Sequence, residues 1–257
     1  MNAAVVTVGD ELLVGDTENT NATWLCGRLA DRGVPVRRVT VVPDEVAEIA
    51  RVVNEYHAEY DAVVVTGGLG PTHDDVTMEA VAAAFGREVV ANDEAAAWLA
   101  DQGYSADELV TGTTHVPAGS RPLRNEAGVA PGCVVESVYV LPGVPREMQA
   151  MFETVAAEFE GTPTHTVSVD VEEPESALIE RFTELQERFD VSVGSYPGER
   201  VTVKITASES ETAAAAADWL RERSKPAASD RETGQSDRET GQSDRETGQS
   251  DRETGQR

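Results

Sequence analysis

From Ala3 to Phe159, short apolar runs of strand length alternate with segments whose apolar positions recur at helical spacing. The pattern predicts strands at Ala3–Val8, Val34–Val42, Ala62–Val65, Gly132–Glu136 and Val138–Leu141. It predicts helices at Thr20–Arg32, Val46–Tyr56, Asp75–Phe85, Glu94–Asp101 and Val144–Phe159. Because most of the strands are apolar runs without strict alternation, we expect an α/β fold. Its sheet should be doubly wound and mostly parallel, with helices covering both faces.

After the break at Gly161–Pro163 the order of elements changes, which predicts a second, smaller domain. Strand and helix signals now follow in the order βαββα, typical of a small α+β unit. They lie at Val167–Val171, Glu175–Phe189, Val191–Ser195, Val201–Ala207 and Thr212–Arg223. We therefore expect domains at residues 1–162 and 163–225.

The remaining residues, 226–257, contain the unit Ser-Asp-Arg-Glu-Thr-Gly-Gln four times in register, from Ser229 to Gln256. The unit has no hydrophobic residue, so stacking the copies would bury nothing to offset the entropy of ordering them. We expect this segment to be a disordered, acidic tail.

The formal net charge of −26 separates this chain from several classes of protein. Such a charge repels nucleic acid and anionic membranes, so we expect neither as a partner. Lysine is scarce, with only Lys204 and Lys225, and this composition resembles that of halophilic proteins. The isolated Cys26 and Cys133, together with a start that lacks signal-peptide features, predict a cytoplasmic protein with free thiols.

The most informative segment is a glycine-rich loop after the strand Ala62–Val65. Its glycines let backbone N–H groups approach a ligand, and such groups bind phosphate oxygens at the start of a helix. Asp74 and Asp75 follow, and they suit either a divalent cation held against phosphate or a general base. Ordinary capping of the next helix is the alternative interpretation. The candidate ligand-binding residues are Thr66, Gly67, Gly68, Gly70, Pro71 and Thr72.

Three further loops occupy comparable positions beside strands. The first carries Asp10 and Glu11, which suit ribose hydroxyls or a cation, and then Asn19 and Asn21, for which helix capping is the alternative. Because parallel strands end at one edge of a sheet, we expect these loops to converge on one small phosphorylated ligand. The candidate ligand-binding residues in the three loops are Asn19, Asn21, Asn125, Gly128, Gly132, Pro142, Gly143 and Pro145.

Four segments, in this order, resemble the CinA family (competence/damage-inducible protein A). They are Gly9–Leu13 with the later Thr20 and Asn21, Thr66–Asp75, Asn125–Gly132 and Leu141–Pro145. The first domain of that family is a molybdopterin-binding domain of the MoaB/Mog type, and residues 164–224 are similar in pattern to its small middle domain. The resemblance implies a nucleotide or molybdopterin as ligand and Mg²⁺ or another divalent metal as cofactor, with K⁺ as a further candidate. It also implies a homo-oligomer, with a dimer favoured.

The resemblance further implies two activities between which the sequence must choose. The CinA branch is associated with metal-dependent hydrolysis of the ADP-ribose pyrophosphate, and the Mog branch with adenylylation of molybdopterin by Mg-ATP. Mog-like proteins carry aspartate where this chain has Asn19 and threonine where it has Leu69, and these departures favour the CinA side. The deamidase domain of full-length CinA proteins is expected to be absent, because this chain ends in repeats.

The leading hypothesis is therefore a metal-dependent pyrophosphatase acting on ADP-ribose or a related dinucleotide. Asp75, Asp74, Asp10 and Glu11 are the candidate catalytic residues, and Asp74 and Asp75 the candidate metal ligands. Asp75 matches the acidic residue that ends the glycine motif of Mog-like proteins. The alternatives are a non-catalytic module that binds molybdopterin or a nucleotide, and a molybdopterin adenylyltransferase.

Overall fold

The computed structural model describes residues 1–104 and 112–225, so the predicted repeat tail lies outside the described residues. The strands are β1 Ala3–Val8, β2 Val36–Val42, β3 Ala62–Thr66, β4 Val89–Ala91, β5 His115–Pro117, β6 Arg121–Leu123, β7 Gly132–Val135, β8 Val138–Leu141, β9 His165–Val171, β10 Ser192–Pro197 and β11 Val201–Ala207. The helices are α1 Asp10–Leu13, α2 Thr20–Asp31, α3 Val46–Glu59, α4 Thr77–Ala84, α5 Asp93–Asp101, α6 Pro145–Val155, α7 Ile179–Arg188 and α8 Ser210–Arg223. No helix within the described residues is long and apolar enough to cross a membrane.

The main sheet contains six strands in the order β2-β1-β3-β8-β7-β6. β1 pairs in parallel with β2 and β3, and β3 pairs in parallel with β8. β7 is antiparallel to both of its neighbours, β8 and β6. The prediction of a doubly wound, mostly parallel sheet is confirmed.

Helices cover both faces of this sheet because successive strand residues point to opposite sides. Ala3 and Val5 of β1 belong to a core formed with α2 and α6. Ala4 and Val6 belong to the opposite core, formed with α3 and α4. All six residues of β1 are buried, which explains why its sequence shows an apolar run rather than alternation.

The connections between β1, β2 and β3 use both faces of the sheet, with α2 on one face and α3 on the other. It leaves β1 through α2 to reach β2 on one side, and then passes through α3 to reach β3 on the other side of β1. Neighbouring strands whose connections depart in opposite directions form a topological switch point. Ligands of open α/β sheets bind outside the carboxyl ends of the strands at such a point.

Several element boundaries differ from the sequence prediction. The three-residue strands β4, β5 and β6 were not predicted, because such short segments carry no clear apolar period; β4 and β5 form a separate antiparallel pair. A short helix, α1, occupies the place of a predicted turn. The helix predicted from Asp75 begins at Thr77, because the Asp75 carboxylate accepts a hydrogen bond from the Thr72 N–H (3.0 Å) and closes the preceding loop.

The second domain has its own three-stranded antiparallel sheet in the order β10-β11-β9. Its elements follow the predicted βαββα order. The alternating burial of β11 directs Val203 and Ile205 into a core shared with Leu185 of α7 and Leu220 of α8. One face of the small sheet is therefore covered by helices, as expected for a small α+β unit.

Glu173 and Arg181 join the two ends of this small domain. Arg181 Nη1 and Nη2 donate to Glu173 Oε1 and Oε2 at 2.7 and 2.8 Å, and the Lys225 N–H donates to Oε1 at 2.8 Å. The Arg181 guanidinium, followed by the Lys225 N–H, lowers the pKa of Glu173 to about 2. Both side chains are mostly buried, with 14% of Glu173 and 25% of Arg181 exposed, so the pair is less screened than a surface pair.

We expect Glu173→Gln to lower the free energy of unfolding at pH 7 by about 1–2 kcal/mol. Because the folded-state pKa of Glu173 is depressed, its stabilisation is present above the unfolded-state pKa and is lost as the pH falls towards 2. The difference between wild type and variant, measured by urea unfolding, should therefore shrink across this range. Glu222→Gln is the matched control, because Glu222 pairs with Arg223 on the surface and should change stability by less than about 0.5 kcal/mol. A constant difference at every pH would contradict the assignment.

Candidate functional site

Three backbone segments touch at the carboxyl edge of the sheet, beside the β1–β3 switch point. The glycine loop, defined here as residues 67–75, starts at Gly67, whose N–H donates to the Leu141 carbonyl of β8 at 3.2 Å. A Cβ on Gly67 would lie 2.2 Å from the Val8 carbonyl oxygen of β1. A Cβ on Gly143 would lie 3.2 Å from the Gly67 Cα. The ends of β1, β3 and β8 therefore meet main chain to main chain.

Asn21 and Thr66 fasten the glycine loop to the loop after β8. The Thr66 hydroxyl donates to the Pro142 carbonyl at 2.6 Å, and Asn21 Nδ2 donates to the Gly143 carbonyl at 2.7 Å. Asn21 Nδ2 also lies 3.4 Å from the Thr66 hydroxyl. Asn21 Oδ1 is buried and has no hydrogen-bond partner among the described residues. These predicted ligand-binding residues thus hold the converging loops together.

Asn19 has the capping role that the sequence left open. Its Oδ1 accepts from the Ala22 N–H at 3.1 Å, which caps α2. Its Nδ2 donates to the Thr7 hydroxyl of β1 at 2.9 Å. Both ends of the amide are therefore used to fix the start of α2 against β1.

We expect Gly67→Ala to lower the free energy of unfolding by at least about 3 kcal/mol. Gly67 has φ of +109°, and an added Cβ would collide with the Val8 carbonyl. Gly15→Ala is the matched control, because Gly15 also has positive φ, +79°, but an added Cβ meets nothing within 4 Å. It should cost only the conformational strain, about 1–2 kcal/mol. Equal urea-unfolding midpoints for the two variants would show that the contact with β1 is not tight.

A cavity of about 660 Å³ opens beside the glycine loop, a volume within the usual range for small-molecule sites. Four of the predicted ligand-binding residues, Gly68, Gly70, Pro71 and Thr72, line it together with Asp75. Its other walls come from α4, from the ends of β4 and β5, and from the loop before β7. The lining residues outside the glycine loop are Val76, Met78, Glu79, Val89, Tyr104, Gly112, Thr113, His115, Val129, Ala130 and Pro131. None of these residues was predicted as a ligand-binding residue; Met78, Tyr104 and His115, for example, belong to segments without a recognisable loop motif.

Asp75 is half-buried and is held inside the glycine loop. One of its carboxylate oxygens, Oδ2, accepts from the Thr72 N–H at 3.0 Å and from the Thr72 hydroxyl. A Cβ on Gly70 would lie 2.5 Å from the same oxygen, so the carboxylate packs against the loop backbone. Asp75 is therefore fixed at the wall of the cavity, next to the glycines.

Asp74, in contrast, does not line the cavity but is exposed beside other carboxylates. The negative charge of Asp74 repels that of Asp44, a residue that was not among the predicted site residues. Asp44 Oδ2 accepts from the Asp10 N–H at 2.9 Å, so the residue lies beside the start of α1.

Asp44 is the centre of an acidic cluster made of Asp10, Glu11, Asp44 and Asp74. Partial burial is the main cause that raises the pKa of Asp44, and repulsion by the other three carboxylates adds to it. Asp44 follows Pro43 directly after β2, and this position at a strand end was a signal that could have identified it. The structure thus gathers carboxylates from the ends of β1, β2 and β3.

The acidic cluster does not form a closed metal cage. Within residues 1–104 and 112–225, no group of three or more His, Cys, Asp or Glu side chains is arranged to hold a metal ion. Mg²⁺ in phosphate sites, however, is usually bound by one or two carboxylates, the substrate phosphates and water. Repulsion by Asp10, Glu11 and Asp74 adds to the burial that raises the pKa of Asp44, so a cation beside these carboxylates would favour its charged form. One or two carboxylates of the acidic cluster could serve as protein ligands of such a cation only if a phosphorylated ligand and water completed its coordination.

The loop of residues 126–131 is shaped by internal contacts. Asn125 is buried, and its Nδ2 donates to the Ala130 carbonyl at 2.9 Å and to Glu147 Oε2 at 2.7 Å. Gly128 packs against Glu147, since an added Cβ would lie 2.2 Å from Glu147 Cδ. Gly132 is buried in β7, where an added Cβ would lie 2.3 Å from Met151 Sδ. Close packing thus explains the glycines without a ligand.

Pro145 occupies the first turn of α6, where its lack of an N–H costs no hydrogen bond. Pro142 contributes its carbonyl to the Thr66 hydroxyl, as described above. Of the predicted site residues, the structure brings Gly68, Gly70, Pro71, Thr72 and Asp75 to the cavity. It brings Asp10, Glu11 and Asp74 to the acidic cluster, and gives Asn19, Asn21, Asn125, Gly132, Pro142 and Gly143 contacts that join the loops and strands.

The doubly wound sheet with its switch-point loops is the architecture of MoaB/Mog-type molybdopterin-binding domains. The chain belongs to this family: the model described as "Probable molybdopterin binding domain" matches residues 4–160. A second model, described as "FAD synthase, middle domain", matches residues 163–232.

Similar proteins occur in archaea. A protein of Archaeoglobus fulgidus is 39% identical over 198 residues, which cover 77% of this chain and 86% of the relative. A protein of Pyrococcus furiosus is 34% identical and covers 87% of this chain and 97% of the relative. The solved structure of the protein CinA from Thermoplasma acidophilum is 38% identical, with a TM-score of 0.58, and covers 62% of this chain and 97% of that chain. The resemblance to the CinA family is confirmed.

Proposed function

We propose that this protein hydrolyses the pyrophosphate bond of a dinucleotide such as ADP-ribose, with the help of a divalent cation. The observation that carries the proposal is that the glycine loop lies between the cavity and the acidic cluster. The loop lines a cavity of about 660 Å³, and its Asp74 also belongs to the acidic cluster at the strand ends. One loop can thus contact the ring-bearing part of a ligand and the charged part of the same ligand.

The phosphates of the ligand would lie on the backbone N–H groups of Gly68, Leu69 and Gly70. Gly67 is not part of this set, because its N–H already donates to the Leu141 carbonyl. Side-chain-free backbone at Gly68 and Gly70 allows the oxygens of a phosphate to approach. The apolar side chains of Met78, Val129 and Pro131 would then face the ring of the nucleotide in the cavity.

Asp74, Asp44 and the pair Asp10 and Glu11 would hold the cation. When bound, the cation would supply positive charge between these carboxylates and the phosphate oxygens. Without the cation, the carboxylates of the acidic cluster would repel a pyrophosphate ligand, and the net charge of −26 on the whole protein would add to this repulsion.

Hydrolysis of the pyrophosphate requires water to form a bond to one phosphorus while that phosphorus loses its bond to the bridging oxygen. For ADP-ribose the products are AMP and ribose 5-phosphate. Asp75 would take the proton of the attacking water, because it is a carboxylate fixed at the cavity wall beside Gly70. The hydrogen bonds from Thr72 would hold it in position.

The proposal is tested by incubating the purified protein with ADP-ribose and Mg²⁺ and following the products by ³¹P NMR. The expected result is AMP and ribose 5-phosphate in equal amounts, and none of either after chelation of the metal by EDTA. FAD, supplied in parallel, would show whether other dinucleotides are accepted. Intact ADP-ribose after prolonged incubation with several divalent metals would overturn the proposal.

A second candidate function is binding or adenylylation of molybdopterin, and the family description of residues 4–160 favours it. Two measurements separate it from hydrolysis. ATP-dependent transfer of AMP to molybdopterin would identify an adenylyltransferase. A rise in melting temperature with molybdopterin, without any product, would identify a binding module.

A further inference from the structure

We propose that Glu147 and Asn125 are positioning residues that hold one wall of the cavity at the distance required by the ring of the ligand. The inference rests on the proposed function, since it takes the ring to lie in the cavity while the phosphates lie on the glycine loop. Neither side chain lines the cavity. Both act through residues 126–131, whose last three members, Val129, Ala130 and Pro131, form part of the wall.

The loop is held by side chains rather than by a regular element. Asn125 uses its amide fully: Nδ2 donates to the Ala130 carbonyl and to Glu147 Oε2, and Oδ1 accepts from the Ala127 N–H at 3.2 Å. Arg146 Nη2 donates to the Ala127 carbonyl at 2.8 Å. The wall therefore takes its position from Asn125 and from the first turn of α6.

The first turn of α6 is also tied to the glycine loop. α6 begins at Pro145, two residues after Gly143, which packs against the backbone of Gly67 and accepts a hydrogen bond from Asn21. The phosphate-binding segment and the wall of the cavity thus share one support. A change at the Glu147 side chain should nevertheless move the wall and leave the glycine loop in place, because this side chain contacts Asn125, just before the loop of residues 126–131, and Gly128 within it.

The test compares a ligand that has a ring with one that lacks it. Isothermal titration calorimetry in the presence of Mg²⁺ gives the Kd of ADP-ribose and of inorganic pyrophosphate for each variant, with every variant made in the Asp75→Asn background so that ADP-ribose is not cleaved during the titration. Glu147→Ala should raise the Kd of ADP-ribose about tenfold and change the Kd of pyrophosphate less than about twofold. A tenfold change in Kd is what the loss of one well-made contact typically causes. Glu147→Gln keeps an oxygen that accepts from Asn125 and should remain within about threefold of wild type.

Two further variants make the result specific. Gly128→Ala should also raise the Kd of ADP-ribose and leave that of pyrophosphate nearly unchanged, because the added Cβ would push against the Glu147 carboxylate from the loop side. Glu153→Ala removes a carboxylate from the same helix that pairs instead with Arg28 on the surface, and should change neither Kd.

Equal losses for ADP-ribose and pyrophosphate in Glu147→Ala, or no loss for either, would overturn the inference. Equal behaviour of Glu147→Gln and Glu147→Ala would also overturn it, because the hydrogen bond to Asn125 would then have no role. The measurement is of binding and not of turnover. If the selective loss occurs but ADP-ribose is never cleaved, the positioning role holds and only the proposed hydrolysis fails.

Discussion

Asp75→Asn is expected to slow ADP-ribose hydrolysis by about 10²–10⁴-fold, the usual effect of removing a general base. The fold should survive, because asparagine keeps an oxygen that can accept from the Thr72 N–H and hydroxyl. The variant should therefore bind ADP-ribose with Mg²⁺ and melt at the temperature of the wild type. Initial rates at saturating ADP-ribose, together with thermal unfolding, measure both properties.

Asp101→Asn is the matched control for this substitution. Asp101 is exposed at the end of α5 and does not line the cavity, so its variant should turn over at the wild-type rate. A wild-type rate in Asp75→Asn would refute the assignment of Asp75. A loss of rate with a large fall in melting temperature would show that Asp75 acts mainly by closing the loop.

Asp44→Asn is expected to have opposite effects on cation binding and on the stability of the ligand-free protein. Asparagine can still accept from the Asp10 N–H, so the start of α1 stays in place. The loss of one carboxylate should weaken Mg²⁺ binding about tenfold, which corresponds to about 1.4 kcal/mol, when it is measured with ADP-ribose in the Asp75→Asn background that suppresses turnover. Without ligand, the variant should be more stable than wild type at pH 7, because a partly buried charge that three carboxylates repel has been removed.

The pH dependence of stability gives this second prediction its sign. The pKa of Asp44 is raised in the folded protein, so the folded state binds its proton more tightly than the unfolded state does. The contribution of Asp44 to the stability of the wild-type protein is fully present below the unfolded-state pKa, and it is lost as the pH rises through the folded-state pKa. The advantage of Asp44→Asn should therefore appear above that pKa and vanish in acid, in urea-unfolding experiments.

Asp61→Asn is the control for Asp44→Asn. Asp61 also accepts a backbone N–H, that of Asn2 at 2.6 Å, but it lies just before β3, at the opposite edge of the sheet. Its replacement should leave Mg²⁺ affinity unchanged. If Asp61→Asn and Asp44→Asn reduced Mg²⁺ affinity equally, the effect would come from net charge and not from the acidic cluster.

The fold could be predicted from the sequence wherever burial leaves a periodic pattern. β1 and β3 are buried along their whole length, and α3 buries Ile49, Val52, Val53 and Tyr56 at helical spacing. The strands β4, β5 and β6 could not be predicted, because segments of three residues are specified by tertiary pairing more than by their own pattern.

The candidate site was predictable in its glycine backbone and in the carboxylates Asp10, Glu11, Asp74 and Asp75. Glycines at strand ends identified the glycine loop, because close approach of main chains demands them. The roles of the asparagines could not be predicted from the sequence, since an asparagine at a strand end can bind a ligand, cap a helix or join two loops. Asn19 and Asn125 illustrate this, as their amides are used within the protein. The position of Asp44 at a strand end was visible in the sequence, but its contact with the start of α1 is made only in the folded chain.

The most direct test of the proposed site is a crystal structure of the Asp75→Asn variant with ADP-ribose and Mg²⁺, in which turnover is suppressed. Electron density for the pyrophosphate is expected at the N–H groups of Gly68–Gly70, with the ring of a nucleoside between Met78 and Val129–Pro131. The cation is expected between the phosphates and Asp44 or Asp74. Ligand density elsewhere on the molecule, with the glycine loop and cavity filled only by solvent, would contradict this account.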